Sequence, residues 1–64
     1  MDLGKRLKAL RTHRGLTQVE LAQKVKVTQA YIAQLEASTQ TNPSLATLRR
    51  LAKALKVTVA ELVE

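Results

Sequence analysis

The chain has 64 residues, 45% of them apolar, and no cysteine; eleven Lys and Arg against five Asp and Glu leave a net charge of +6. This excludes a disulfide framework and a thiolate metal site, and it leaves room for one domain only, over residues 1–64. The apolar content is mostly Leu, Ala and Val with a single aromatic, Tyr31, which favours an all-α fold over a sheet sandwich.

The first helix is expected over about 3–13, with Leu3, Leu7 and Leu10 as its stripe, Asp2 as its cap and Gly15 closing it. Leu16-Thr17-Gln18-Val19-Glu20-Leu21 opens the second helix, over 18–25: Thr17 is the N-cap, Glu20 completes a capping box, and Leu16 and Leu21 form a hydrophobic staple. Val27-Thr28-Gln29-Ala30-Tyr31-Ile32 repeats the pattern and opens the third helix, over 29–37. Only Lys26, Val27 and the Thr28 cap separate these two helices, which forces the sharp corner of a helix-turn-helix. Ser38-Thr39-Gln40-Thr41-Asn42-Pro43 is the one extended loop. The fourth helix, over 45–55, follows a Ser44 cap and carries Leu48, Leu51, Ala52 and Leu55 on one face. Val57-Thr58-Val59-Ala60-Glu61-Leu62 opens a fifth over 59–63 with a second capping box.

No apolar run approaches the roughly 18 residues of a membrane span, and the N-terminus alternates charged and apolar residues unlike a signal peptide. A cytoplasmic protein without membrane association is expected. The positive charge points to a polyanionic partner, nucleic acid first.

On a wheel of 100° per residue, Ile32 and Leu35 of the third helix face the core, flanked by Tyr31 and Glu36. The opposite face holds Ala30, Ala33 and Ala37, bordered by Gln29 and Gln34, with no Lys or Arg. Short side chains admit close approach to another surface, and the DNA major groove just accommodates a helix. A glutamine amide pairs bidentately with adenine N6 and N7, and an alanine methyl packs on a thymine methyl. Cations elsewhere would supply affinity while this neutral face supplies selectivity. The competing interpretation of Gln29 and Gln34 is that they are simply solvated.

Gly15-Leu16-Thr17-Gln18 through Glu36, then Asn42-Pro43-Ser44-Leu45 and Leu51-Ala52-Lys53-Ala54-Leu55, resembles the helix-turn-helix domain of the lambdoid phage repressor and Cro type. The resemblance covers essentially the whole chain. It implies a five-helix fold (lambda repressor-like) with the third helix as recognition helix, in a transcriptional repressor or regulator that binds double-stranded DNA. It implies base contacts from Gln29, Gln34 and Ala30, to which Ala33 is added on the same face. It implies a phosphate contact from Gln18, which also braces Gln29, and further phosphate contacts from Thr17, Thr41 and Asn42. Thr28, Tyr31, Arg11 and Arg14 are expected beside these on the DNA side. Arg11 and Glu36 match a family ion pair joining the first and third helices. A pseudo-palindromic operator bound by a homodimer is implied, with a free monomer at low concentration and Val59 or Val63 at the partner, and the bound protein would be nucleoid-associated. The family commonly has glycine where this chain has Lys26, Ser38 and Lys56.

His13 has no companion at metal spacing, and no nucleophile–base set or phosphate-cradling glycine loop is present, so neither a metal, a cofactor nor an enzyme is expected. Two other readings remain at this level: a protein-interaction module of antitoxin or coactivator type, and an engineered helical scaffold of the same fold.

Overall fold

A computed structural model describes residues 3–37 and 43–63. Among these residues there is no strand, and five helices follow in chain order: α1 (Leu3–His13), α2 (Gln18–Val25), α3 (Gln29–Glu36), α4 (Leu45–Leu55) and α5 (Val59–Val63). The expected spans agree except that α3 ends one residue early. Ala37 is its C-cap, and its N–H reaches the Ala33 carbonyl at 2.9 Å. The expected Asp2 cap, Ser38, Thr41 and Asn42 lie outside the described residues.

The corners are made by a single three-residue joint used repeatedly. Gly15, Lys26 and Lys56 each take a left-handed conformation, with φ of 71°, 61° and 59°. At each, the left-handed residue donates to the carbonyl three back and the next residue to the carbonyl five back: Gly15 to Thr12 and Leu16 to Arg11, Lys26 to Gln23 and Val27 to Ala22, Lys56 to Lys53 and Val57 to Ala52. This is the Schellman pattern, which satisfies carbonyls left over at a helix end. Leu16, Val27 and Val57 then pack against the core. Thr17, Thr28 and Thr58 follow, and their hydroxyls accept from the backbone N–H of Glu20, Tyr31 and Glu61 at 3.0–3.1 Å. One apolar side chain thus closes the outgoing helix and staples the incoming one. Both expected capping boxes form, with Glu20 accepting from Thr17 N–H at 2.8 Å and Glu61 from Thr58 N–H at 3.0 Å. The hydrogen bonds from Thr58, backbone first, hold the Glu61 carboxyl below the usual carboxylate range.

A side chain at positive φ crowds the backbone, and glycine does not. Lys56→Gly is therefore expected to stabilise the protein by about 1 kcal/mol, raising Tm by about 4–8 °C in a thermal melt. Gly15→Ala tests the same quantity in reverse. A Cβ there would meet nothing within 4 Å, so its cost is backbone strain alone.

The core is contributed by every helix: Leu7, then Leu21, Ala22 and Val25, then Ile32 and Leu35, then Leu51, Ala52 and Leu55, then Leu62. Leu3, Leu10 and Leu48, expected on the same faces, are partly buried at its margin. α3 packs on α1 and α2, α4 packs on α2, and α5 closes the opposite side against α1 and α4. α3 therefore has an inner face gripped by two helices and an outer face left open.

Candidate nucleic-acid interface

The corner between α2 and α3 brings two helix starts together. Gln18 is the first residue of α2 and Gln29 the first of α3. The Gln29 Nε2 donates to Gln18 Oε1 at 3.4 Å. Unpaired backbone N–H groups and the positive ends of two helix dipoles are thus adjacent, a setting that favours an anionic ligand.

Beneath this pair lies the ion pair expected between the first and third helices. Arg11 Nε donates to Glu36 Oε2 at 2.6 Å and Nη2 donates to Oε1 at 3.1 Å, a two-pronged contact. Arg11 Nη1 donates to the Leu16 carbonyl at 2.7 Å. The side chains are only 10% and 4% exposed, so both charges have left bulk water. Gln18 Nε2 donates to Glu36 Oε1 at 3.1 Å. One unbroken chain of hydrogen bonds therefore runs from Arg11 through Glu36 and Gln18 to Gln29.

The outer face of α3 is uncharged. Glu36 is the one ionisable acid or base between Gln29 and Glu36 apart from the Tyr31 phenol, and it points inward. Gln29, Ala30 and Gln34 are exposed, as expected, whereas Ala33 is half-buried because it lies nearer the core boundary than the wheel suggests. Tyr31 is half-buried against the core. Thr17 and Thr28 are exposed at the helix starts. Their hydroxyl oxygens serve as caps, and a hydroxyl that accepts in this way keeps its proton for donation.

Two of the cations expected on this side make hydrogen bonds within the protein. Arg11 is 8% exposed, its guanidinium committed to Glu36 and Leu16. Arg14 turns toward the end of α4, donating from Nε to the Leu55 carbonyl at 2.8 Å and from Nη2 to the Lys56 carbonyl at 3.3 Å. Arg50 does the same for α2, with Nη1 3.3 Å from the Val25 carbonyl. These guanidiniums bond carbonyls at helix ends, the groups a helix leaves unpaired. Nothing local signals these contacts, since the partners are 25 to 42 residues away. The Gln18–Glu36 bond was missed for the same reason.

A hollow of about 300 Å³ is lined by Arg14, Leu16, Lys24, Ala54 and Lys56, none of which belongs to the Arg11–Gln29 chain. Among the described residues no group of three His, Asp or Glu could hold a metal ion, and no helix is long and apolar enough to cross a membrane.

The architecture has close counterparts among known proteins. The immunity repressor protein of Bacillus phage phi105 is 44% identical over 63 residues, covering 98% of this chain and 43% of that protein. The HTH-type transcriptional regulator SinR of Bacillus subtilis is 36% identical over 62 residues, covering 97% and 56%. The chain thus spans about half the length of the curated relatives it matches. A crystal structure of SinR, the master regulator for biofilm formation, in complex with DNA aligns with a TM-score of 0.92 at 35% identity, covering 97% of this chain and 98% of that one. The P22 c2 repressor in complex with synthetic operator 9T aligns with a TM-score of 0.91 at 31% identity, covering 100% and 96%. The family model described as helix-turn-helix matches residues 7–62, and with the α2–α3 corner in place the chain belongs to that helix-turn-helix family.

Proposed function

We propose that this chain binds double-stranded DNA sequence-specifically by laying α3 in the major groove, and that it acts as a transcriptional regulator of the repressor type. The observation that carries this reading is the uncharged, short-side-chain outer face of α3, bearing a hydrogen-bonded glutamine, in a chain of net charge +6. A helix that only neutralised phosphates would present Lys and Arg there, and would bind every sequence alike. The presence of a phage immunity repressor among the relatives, and of DNA complexes among the similar structures, supports the same conclusion.

In this arrangement Gln29, Ala30, Ala33 and Gln34 face base edges, with Ala33 offering only the outer part of its methyl group. Thr17, Gln18, Thr28 and Tyr31 flank them at the phosphates, two hydroxyls and an amide standing at helix N-termini. Arg11 is left out of this set because it is buried, and Arg14 because it caps α4. The operator is pseudo-palindromic, bound by two copies with half-sites about 34 Å apart. Val63, 41% exposed, is available to such a partner, whereas Val59 packs on the core. The protein works in the cytoplasm, on the nucleoid when bound.

Selection of binding sites from randomised duplexes at physiological salt tests this. The expected result is enrichment of a two-fold-symmetric motif bound at least about a thousandfold more tightly than random DNA. Equal binding to selected and random duplexes at the same salt would overturn base recognition and favour a protein-interaction module.

A further inference from the structure

We propose that the hollow between the C-terminal ends of α1, α2 and α4 binds a small phosphorylated compound carrying at least two negative charges. Three of its five lining residues are cations: Arg14, just past α1, Lys24, in the last turn of α2, and Lys56, the C-cap of α4. No acid lines it. Of the described acids, Glu36 is paired with Arg11, and Glu20 and Glu61 accept within their capping boxes. Three like charges around one hollow repel one another, and a multivalent anion placed among them is attracted by all three.

The commonplace account is that cations gather at helix C-termini to complement the carbonyls there. It covers only part of this arrangement. Arg14 does donate from Nε to the Leu55 carbonyl and from Nη2 to the Lys56 carbonyl. Those two bonds fix the guanidinium and leave three of its five N–H donors for a ligand. The ammoniums of Lys24 and Lys56 make no hydrogen bond or ion pair among the described residues. Lys56 also stands at a φ of 59°, where any side chain carries strain that glycine avoids. Strain retained beside a concave, cation-lined site points to a task other than stability.

Size and lining narrow the occupant. About 300 Å³ is the lower end of the range for small-ligand sites, and only Leu16 and Ala54 offer apolar contact. A compact group bound chiefly by charge fits, and the oxygens of linked phosphates suit both a guanidinium fork and two ammoniums.

The test uses pyrophosphate as probe on the 64-residue chain without DNA, at ionic strength held constant with sodium chloride. At about ten times its Kd, pyrophosphate is expected to raise Tm by about 5–10 °C. In proton–nitrogen correlation spectra the amide signals of Leu16, Lys24, Ala54 and Lys56 should move most. Lys24→Gln and Lys56→Gly should each weaken pyrophosphate binding about tenfold. Lys56→Gly should do so while melting higher than wild type in the absence of the probe, so its loss of binding cannot be a loss of fold. No response beyond that to sodium chloride, or equal affinities in wild type and both variants, overturns the site. The DNA backbone is the other source of phosphate. With Lys24→Gln and Lys56→Gly combined, the salt slope of operator binding is expected to stay as in wild type. A slope flattened by about 0.9 for each cation removed gives the hollow to the backbone and overturns a free ligand. The pyrophosphate measurements involve no DNA, so they stand or fall apart from base recognition by α3.

Discussion

Glu36→Ala is expected to destabilise the protein by about 3–5 kcal/mol, because it leaves the Arg11 guanidinium buried without its counter-ion. A native domain has roughly 0.05–0.15 kcal/mol of stability per residue, so one of this size has little to spare and the variant should be largely unfolded at 37 °C. The cost comes from the stranded cation more than from a lost attraction. Desolvating two charges nearly cancels the gain of pairing them, and apolar residues of similar volume often serve as well. The double variant Arg11→Met with Glu36→Leu should accordingly regain most of the lost stability. Urea denaturation of the two variants, compared at equal m, measures both effects. A loss below about 1 kcal/mol in Glu36→Ala would mean that the pair behaves as a solvated surface contact.

Gln29→Ala is expected to lower affinity for the selected operator by about 1–3 kcal/mol while leaving binding to random DNA nearly unchanged. The residue is exposed and packs on nothing in the core, so the fold should survive the change. A base contact and a phosphate contact of this residue are told apart by sequence, because only the first differs between operator and random DNA. Each phosphate neutralised by Lys or Arg contributes about −0.9 to the slope of log affinity against log salt, and an uncharged amide contributes nothing to it. Fluorescence anisotropy over a salt series should therefore give parallel lines for wild type and variant on the operator, offset by the lost contact. Losses of equal size on operator and random duplexes would assign Gln29 to the backbone.

The helix boundaries were legible because the interactions that set them span three to five residues. Thr17, Thr28, Ser44 and Thr58 each accept from a backbone N–H three positions on. The left-handed residues before the threonine caps lie in the same short window, although two of them are lysines and carry no glycine signal. Which faces meet was legible from periodicity, with an error at the margin: Ala33 was placed on the open face and proves half-buried. The cations were the least legible feature. Composition counts eleven Lys and Arg as one pool of positive charge, yet Arg11 is buried against a carboxylate, and Arg14 and Arg50, both exposed, bond carbonyls at helix ends.

From residue order alone come the five helices, the corner between α2 and α3, and a neutral outer face on α3 in a basic chain, since caps, staples and helical periodicity act between near neighbours. Only the folded molecule decides that Arg11 is withdrawn from solvent, that Arg14 bonds the end of α4 and that Gln29 meets Gln18. Those outcomes depend on groups 11 to 42 residues apart meeting within hydrogen-bond distance, and such meetings are set by how the helices pack around Leu7, Leu21 and Ile32 rather than by any local pattern.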